Sequence, residues 1–503
     1  MNEHDFDEIL VNTVPELPPE EIVHEVTPWR KAMNRILIGM AMCALTLNFL
    51  ALNYILPTIG MILLLLGFRT LRSENGWFKG CWILTLLRTI CYFPAIIVNA
   101  TIYQSAMYDS VIGKALNIVN PALQFLLVLC LWKAIEAVQK KADTRVHAGS
   151  AAALLIWYTA FTLLALVRYN GLILGIAMIV CYILIIRSLY HLSKEMEESG
   201  YAVKAASVHI SDGNLAMTLV SVLAVGIACG YLFFGSYNMG WQAEKTTQST
   251  EILEIKDKLL SLGYPEVALN DLSDEDILTC KDALRVVSQE HDEPVNEGRK
   301  VRETKGNSTF MRTVYDVKEL HFTDVAVELP GETPQWKIFH HFLWTVNPGF
   351  CGTESLQLWP AYRNHEGWTA AGDLRGRVLY DKNGTVYTAP FHSLTADNYT
   401  SDSLFWGTQD VTDIFATFSM PRSGERQRGY ISYGIEQTQE GWIVDAWVNY
   451  THQKSRFQYP VLTAEQNRKT SGWNNSYSFI TVQNALQFYI TEEGIDLFSQ
   501  NNP

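Results

Sequence analysis

Long apolar windows in the first half of the chain give way to short alternating stretches in the second half. Between residues 35 and 235, runs of Leu, Ile, Val, Ala, Phe and Met are almost free of charge. A helix that crosses a membrane needs about 20 such residues. The pattern predicts seven crossings, at residues 35–52, 54–68, 81–104, 112–132, 149–167, 171–187 and 213–235.

The first two predicted crossings belong to one apolar run that is too long for a single helix. Asn53, Tyr54 and Pro57 interrupt this run, which favours a helical hairpin. If the run is instead one long or re-entrant element, the number of crossings becomes six.

After residue 237 the apolar spacing first follows a helix. Ile252, Ile255, Leu259 and Leu262 form a helical stripe, and Ser273 is placed as the N-cap of a second helix. The segment 288–309 is charged and almost free of large apolar residues. It is predicted to be a linker.

From about Arg312 the period changes to that of β-strands. Stretches such as WKIFHHFLWTV, SLQLW and WIVDAWVNY are bounded by Gly, Pro, Asn and Asp. Asn383-Gly384 predicts a hairpin with a type I′ turn, because both residues readily adopt positive φ. Many short strands without intervening helices predict an antiparallel β-sandwich or jelly roll.

These patterns together predict a polytopic α-helical membrane domain followed by an extracytoplasmic α+β region dominated by β-structure. The predicted regions are an acidic cytoplasmic tail (1–29), a seven-helix transmembrane domain (30–236), a helical stalk with its linker (237–310) and a β-rich extracytoplasmic domain (311–503).

The distribution of charge predicts the orientation. Residues 1–29 carry 8 acidic and no basic residues, residues 30–236 carry 16 basic and 8 acidic residues, and residues 237–503 carry 23 basic and 36 acidic residues. Basic residues cluster in alternate connections, and the opposite connections hold Lys114 and Arg168. Since Lys and Arg favour the cytoplasmic side, the N-terminus is predicted to be cytoplasmic and the C-terminal domain extracytoplasmic. Seven crossings agree with this bias, and six do not.

The N-terminus does not have the pattern of a cleavable signal peptide, because it is acidic and lacks a basic segment before an apolar core. The first crossing is expected to act as an uncleaved signal anchor. The tail places Phe6, Ile9 and Leu10 at helical spacing ahead of several prolines. Such a segment is either disordered or a short amphipathic peptide that docks a cytosolic partner.

Six of the 8 cysteines lie in or beside the predicted membrane helices. Cys280 and Cys351 lie in the outer half and are predicted to form a disulfide, with two free buried thiols as the alternative. The near absence of extracytoplasmic disulfides favours a bacterial plasma membrane as the location.

The common catalytic and cofactor motifs do not occur in the sequence. HExxH, GxSxG, a Walker loop, GxGxxG and a CxxC pair are all missing. We therefore expect no enzyme activity, no metal and no cofactor, and no nucleic-acid partner. His340 and His341 are neighbours on a strand and point to opposite faces, so they are predicted to be core histidines with polar partners rather than metal ligands.

Aromatic and basic residues supply candidates for a binding surface in the outer domain. Tryptophans near predicted loops can stack against sugars or contact a protein. Arginines in PRSGERQRGY could bind a carboxylate, a phosphate or lipid headgroups, and a solvated loop is the alternative. The candidate ligand or partner surface comprises Trp359, Trp368, Trp406, Arg422, Arg426 and Arg428.

Polar residues within the predicted membrane helices form a second candidate set. They either line a cavity or hold helices together. From its depth in the third crossing, the arginine of this set could also extend to the cytoplasmic surface. The set comprises Arg88, Asn99, Asn117, Asn120 and Gln124.

Three functions are compatible with these patterns. The first is a sensing or anchoring protein whose outer domain binds a ligand, with partners that include the bilayer, a protein in the membrane or at the cell surface, and a carbohydrate or cell-wall element. The second is a transporter, a transporter subunit or a membrane-embedded enzyme with the outer domain as a cap. The third is a hydrolase that uses paired carboxylates such as Asp410, Asp413 or Asp445.

Overall fold

The structure, a computed structural model, divides the chain into two compact units, Met1–Leu232 and Phe233–Pro503. The predicted docking residues Phe6, Ile9 and Leu10 lie outside the part of the chain that it describes. The described residues are 28–44, 49, 51–144, 146–167, 169, 171–244, 248–305, 308–361, 367–403, 407–438, 443–471, 478–491 and 494–498.

The described part of the first unit is helical. Its helices are α1 (Pro28–Ala44), α2 (Leu52–Leu71), α3 (Gly76–Val98), α4 (Gln104–Asp109), α5 (Val111–Lys141), α6 (Gly149–Leu166), α7 (Leu172–Glu198) and α8 (Asp212–Phe234).

Within the described residues, 6 helices are long and apolar enough to cross a membrane, namely α2, α3, α5, α6, α7 and α8. The structure therefore indicates a multi-pass membrane protein. The remaining predicted crossing, at residues 35–52, overlaps α1, which has 17 residues and ends at Ala44. A helix of that length spans about 25 Å, which is less than the roughly 30 Å of a hydrocarbon core.

Close backbone contact joins α1 to α2. A Cβ atom at Gly39 would lie 2.7 Å from the carbonyl oxygen of Gly60, and a Cβ atom at Gly60 would lie equally close to the carbonyl oxygen of Gly39. Only glycine fits at both positions, and small residues allow membrane helices to approach in this way. The apolar run is thus divided into two tightly packed helices.

The second unit contains four helices among its described residues. Two of them have side-chain caps: Ser273, the predicted N-cap, accepts a hydrogen bond from the Asp276 amide, and Ser249 accepts one from the Ile252 amide. Ile252, Ile255 and Leu259 are buried, and the half-buried Leu262 packs against the same core, which confirms the predicted helical stripe. The helices are α9 (Thr250–Ser261), α10 (Glu266–Asn270), α11 (Asp274–Thr279) and α12 (Ala464–Ser471).

The rest of the described part of the second unit is dominated by strands. They are β1 (Gln242–Ala243), β2 (Arg285–Glu293), β3 (Arg299–Lys305), β4 (Ser308–Val314), β5 (Leu320–Leu329), β6 (Gln335–Trp344), β7 (Glu354–Trp359), β8 (Trp368–Lys382), β9 (Thr385–Pro390), β10 (Ser393–Ser403), β11 (Gly407–Phe418), β12 (Glu425–Gln437), β13 (Ile443–Gln453), β14 (Phe479–Thr491) and β15 (Gly494–Leu497).

The strands pair antiparallel in two open sheets and one separate ribbon. The first sheet has the order β1-β9-β8-β12-β6-β5-β2, and the second has the order β10-β11-β7-β13-β14-β15. The ribbon consists of β3 and β4 alone. At the turn between β8 and β9, Asn383 and Gly384 have φ angles of 52° and 75°, which confirms the predicted hairpin.

Both sheets contribute to one hydrophobic core. The ring of Phe342 in β6 lies 5.5 Å from that of Phe418 in β11 and 5.0 Å from that of Tyr450 in β13. On the opposite face of the first sheet, Phe339 and Tyr430 join a second core that is shared with α9, α10 and α11. The predicted stalk is therefore a helical layer packed on the sheet.

The predicted linker at 288–309 is wrong for most of its length, because it contains part of β2 and the whole of β3. β2 lies at an edge of the first sheet, where charged side chains are common. β3 pairs only with β4 and therefore has no face that must be apolar. A polar composition thus did not exclude strands at these positions.

Candidate functional site

The second sheet carries a cleft of about 350 Å³ on the face that is turned away from the shared core. We call it the outer cleft. It is lined by Gln357, Trp359, Asp397, Tyr399, Asp413, Phe415, Arg468 and Lys469.

The alternation of side chains along the strands builds this cleft. In β7, Leu356 and Leu358 enter the shared core. Because side chains alternate along a strand, Gln357 and Trp359 face outward and line the cleft. In β11, Ile414 enters the core and Asp413 faces the cleft in the same manner. The cleft is therefore lined by the alternate side chains of these strands that point away from the core.

Strand register brings polar and aromatic residues side by side. Asp397 of β10 is paired with Asp413 of β11, and Trp359 of β7 is paired with Trp447 of β13. Paired residues share a face of the sheet, and like charges in such positions destabilise it. The register thus places two carboxylates directly opposite each other, with Lys469 3.8 Å from an oxygen of Asp397.

Hydrogen bonds hold the polar groups of the cleft in fixed orientations. The buried Arg468 of α12 donates from Nε to Gln357 Oε1 at 2.6 Å. The amide nitrogen of Gln357 donates to Asp413 Oδ1 at 3.4 Å, and the Tyr399 hydroxyl donates to Asp413 Oδ2 at 3.2 Å. Gln357 thereby links a buried cation to a half-buried carboxylate.

Burial and local charge set the protonation behaviour of the outer cleft. Burial raises the pKa of Asp413, and hydrogen bonds from Trp359, Tyr399 and Gln357 only partly offset this effect. Burial also lowers the pKa of Arg468, against the attraction of Asp413. The result is an aromatic surface beside a fixed amide and a carboxylate, and such groups can stack on a ring and accept hydrogen bonds from hydroxyls.

Lys469 completes the cleft from α12. Its Nζ lies 4.5 Å from the ring centre of Phe415 and 3.8 Å from an Asp397 carboxylate oxygen. It also pairs with Glu465 at 2.9 Å. Cations and carboxylates are therefore balanced around the cleft, and a neutral ligand fits this balance.

The three candidate tryptophans are not brought together by the structure. Trp359 lines the outer cleft and is half-buried. Trp368, at the start of β8, is only 2% exposed and belongs to the shared core, so its prediction as a surface residue is wrong. Trp406 lies outside the described residues.

The structure brings two of the three candidate arginines together, because Arg426 and Arg428 line one cavity and both approach Asp381. Arg428 is 5% exposed, and its Nε donates to both carboxylate oxygens of Asp271 at 2.8 and 2.9 Å. Its prediction as a surface ligand site is therefore wrong, because the protein supplies the carboxylate itself. Arg426 is exposed near Asp381, and Arg422 lies beside the ring of Phe350.

The predicted disulfide is not formed in the structure. Cys280 lies in the core shared by the helical layer and the first sheet, whereas Cys351 lies in the core between the two sheets. Both are free buried thiols, which was the alternative. Burial raises the pKa of the Cys280 thiol to about 11, so it is unreactive at neutral pH.

The prediction for the paired histidines is confirmed. His340 Nδ1 lies 2.6 Å from Asp324 Oδ1, and its Nε2 lies 2.9 Å from the Tyr433 hydroxyl. His341 Nε2 lies 2.8 Å from Asp271 Oδ2, on the side of the helical layer. Within the described residues, no group of three or more His, Cys, Asp or Glu side chains is placed to hold a metal ion.

The candidate carboxylates of a hydrolase do not converge. Asp413 lines the outer cleft, whereas Asp410 accepts a hydrogen bond from Thr400 and lines a different cavity. Asp445 accepts a hydrogen bond from Gln487 on the neighbouring strand. The pairing of Asp413 with Asp397 could not be predicted from local spacing, because it depends on the register of β10 and β11.

The polar residues predicted within the membrane helices divide into separate environments. Asn99 is buried and accepts a hydrogen bond from the Tyr108 hydroxyl at 3.0 Å, while Asn117 is exposed and Asn120 is half-buried. Arg88 and Gln124 both lie near the hydroxyl of one tyrosine, Tyr158. The five residues therefore do not line a single shared cavity.

Comparisons with known proteins do not assign this chain to a family. No family model matches, and no curated protein matches. Among solved structures, similarities include a pore forming protein (6% identity, TM-score 0.19) and Clostridium perfringens delta-toxin (6% identity, TM-score 0.20), each covering 40% of this chain and 100% of the other. The Clostridium perfringens NetB toxin in its membrane inserted form has a TM-score of 0.16 at 6% identity, with 42% of this chain and 100% of the toxin chain covered. Likenesses at these TM-scores carry no functional argument.

Proposed function

We propose that this chain is a plasma-membrane protein whose second unit is an extracytoplasmic binding domain for a polyhydroxylated ligand such as a cell-wall sugar. The observation that carries the proposal is the outer cleft, where Trp359 and Tyr399 flank the Asp413 carboxylate and the oriented Gln357 amide. The role of the protein in this proposal is to sense or anchor, and the helices hold the domain at the membrane.

The chemistry of the cleft favours a sugar over an apolar or highly charged ligand. Aromatic rings offer a flat surface for the C–H face of a sugar ring, while carboxylate and amide oxygens accept hydrogen bonds from its hydroxyls. The cleft volume of about 350 Å³ is at the small end of the range for ligand sites. One or two sugar rings of a longer chain fit such a volume.

The topology in this proposal has seven crossings, a cytoplasmic N-terminus and a β-sandwich outside the cell. Its support is the bias of basic residues toward alternate connections, the six long apolar helices, and the core shared by the two sheets. In this topology α1 supplies the seventh crossing.

Binding of oligosaccharides to the full-length protein in nanodiscs tests the proposal. We expect titration calorimetry with a panel of neutral, amino and acidic cell-wall oligosaccharides to detect binding, and Tyr399→Ala to raise the dissociation constant by at least about tenfold. Trp359→Ala is expected to do the same. Both substitutions remove a stacking surface at the cleft.

Tyr315→Ala provides the matched control, because Tyr315 is about as exposed as Tyr399 (43% and 47%) but lies beside β4, away from the cleft. The dissociation constant of Tyr315→Ala for the oligosaccharide is expected to equal that of the unchanged protein. The proposal is overturned if no oligosaccharide of the panel binds, or if the Tyr315 and Tyr399 variants lose affinity to the same degree.

A further inference from the structure

Three loops of the second unit meet at one end of its two sheets. They connect β6 to β7 (345–353), β11 to β12 (419–424) and β13 to α12 (454–463). The register places the end of β6 beside the start of β12, and the ends of β11 and β13 beside the start of β7. Asn347 Nδ2 donates to the Gly424 carbonyl oxygen at 3.0 Å, which joins the first loop to the second.

Phe350 of the first loop lies beside an arginine from each of the other two loops. The guanidinium carbon of Arg422 lies 5.8 Å from the centre of the Phe350 ring, and that of Arg456 lies 6.0 Å from it. A guanidinium at this distance is attracted by the electrons on the face of the ring. Phe350 therefore holds two positive charges on one small surface.

The two arginines carry charge that the protein does not neutralise. Both are exposed, and within the described residues neither Arg422 nor Arg456 forms an ion pair. Lys454, in the same loop as Arg456, pairs with Glu297 at 2.9 Å, so carboxylates do reach other cations nearby. The two guanidinium groups are therefore free to bind an anion that comes from outside the protein.

Exposed apolar side chains lie in the first and third loops. Phe457, the residue after Arg456, is 88% exposed, which is more than any other large apolar side chain among the described residues of the second unit. Val346 is 50% exposed. A single apolar side chain on a surface is common, but apolar side chains beside unpaired cations are typical of segments that lie in the headgroup region of a membrane. We call Val346, Phe350, Arg422, Arg456 and Phe457 the Phe350 surface.

The course of the chain keeps this end of the sheets near a membrane helix. α8, which is long and apolar enough to cross a membrane, ends at Phe234. Three residues later, the Tyr237 amide donates to the Ser419 hydroxyl of the second loop at 3.0 Å. Three residues span at most about 11 Å, so the second loop stays close to the end of α8. Lipid headgroups around the end of α8 are therefore within reach of the loops.

We propose that the Phe350 surface binds the headgroups of anionic lipids on the side of the membrane where α8 ends. Arg422 and Arg456 bind lipid phosphates, while Phe457 and Val346 enter the boundary between headgroups and acyl chains. The charge and the apolar side chains both match this ligand, and the short connection to α8 favours a lipid over a separate protein. This inference does not depend on the sugar-binding function, because the outer cleft consists of other residues.

Photo-crosslinking of the full-length protein in nanodiscs tests the proposal. p-Benzoylphenylalanine replaces Phe457, and mass spectrometry measures lipid adducts on the peptide that contains this position. The nanodiscs contain either phosphatidylglycerol mixed with phosphatidylcholine or phosphatidylcholine alone. We expect the yield of lipid adducts to be at least about threefold higher with phosphatidylglycerol at low salt, and to fall at high salt.

The same photoreactive residue in place of Leu284 is the control for position. Leu284 is 58% exposed, and its amide donates to the Glu328 carbonyl oxygen near the end of β5. Because β5 and β6 are antiparallel, this place is at the opposite end of the first sheet from the end of β6. Position 284 is expected to give few lipid adducts in either kind of nanodisc.

Substitution of both arginines tests the contribution of charge. Arg422→Gln combined with Arg456→Gln is expected to lower the yield at position 457 with phosphatidylglycerol to the yield with phosphatidylcholine alone. Lys281→Gln combined with Arg285→Gln is the matched control, because it removes the same charge from two exposed side chains near position 284. This control is expected to leave the yield at position 457 unchanged.

The proposal is overturned if position 457 gives no more lipid adducts than position 284, or if the yield does not depend on phosphatidylglycerol. It is also overturned if the two double variants lower the yield equally. A protein adduct at position 457 in native membranes, without a lipid adduct, would identify a protein partner instead and overturn the proposal.

Discussion

At the residue scale, Asp413 lies in the outer cleft, and the direction of its pKa shift decides how its ionisation affects the stability of the fold. Burial raises the folded-state pKa above the unfolded value of about 3.9. The carboxyl of Asp413 then binds its proton more tightly in the folded than in the unfolded chain. The stability of the fold therefore decreases as the pH rises from the unfolded pKa through the folded pKa. Above the folded pKa the loss is complete.

We therefore expect Asp413→Asn to raise the thermal unfolding temperature at pH 7 and to have little effect on it well below the unfolded pKa. Differential scanning fluorimetry across this pH range measures both. Asp316→Asn is the control, because Asp316 is exposed and pairs with Arg299, which lowers the pKa of the carboxyl. If Asp413→Asn unfolded at a lower temperature than the unchanged protein at pH 7, the conclusion that ionised Asp413 destabilises the fold would be contradicted.

At the element scale, one carboxylate links the helical layer of α9, α10 and α11 to the first sheet. Asp271, directly after α10, contacts Arg428 of β12 and His341 of β6. Burial opposes its ionisation, but the hydrogen bond from His341 and the charge of Arg428 outweigh burial and lower the pKa of Asp271. Its contribution to stability is thus present above the unfolded pKa of about 3.9 and is lost as the pH falls through the folded pKa.

Asp271→Asn is expected to destabilise the second unit by about 3–5 kcal/mol, because it leaves Arg428 buried without its main partner. Hydrogen exchange should accelerate first in α9, α10 and α11, which lose their anchor. Arg426→Met is the control, since this exposed arginine lies 3.8 Å from Asp381 and such pairs contribute little. Equal exchange in both variants would show that Asp271 does not hold the layer.

At the scale of the whole molecule, the proposed orientation is tested by labelling of cysteines in intact cells. Thr470 of α12 and Lys194 of α7 are both exposed. In the proposed topology an impermeant maleimide labels Thr470→Cys in intact cells and labels Lys194→Cys only after lysis. The reverse pattern would place the second unit in the cytoplasm and remove the basis for an external ligand.

The sequence was sufficient for features that depend on local spacing. The stripe at Ile252, Ile255 and Leu259, the turn at Asn383-Gly384 and the burial of the two histidines all follow from neighbours along the chain. It was insufficient where distant strands decide the environment. Arg428 looked like a surface group because its partner, Asp271, lies 157 positions away.

The outer cleft shows the same limit. The alternation in SLQLW places Gln357 and Trp359 on one face, which the sequence alone indicates. The meeting of Asp397 with Asp413 requires the register of β10 and β11, and Arg468 comes from a helix more than a hundred positions along the chain from Gln357. A site assembled from distant segments leaves no local signature.

The order of strands in the two sheets has a consequence for synthesis. β12 stands between β8 and β6, and β13 stands between β7 and β14, yet both are among the later strands of the chain. Long-range pairings of this kind form slowly, and strands that wait for a partner are prone to aggregation. As the polypeptide emerges, β5 and β6 can form a hairpin, but the first sheet lacks its central strand until residue 437 has been made, and the second lacks β13 until residue 453 has been made. The growing chain therefore depends on protection of its unpaired edges until synthesis is nearly complete.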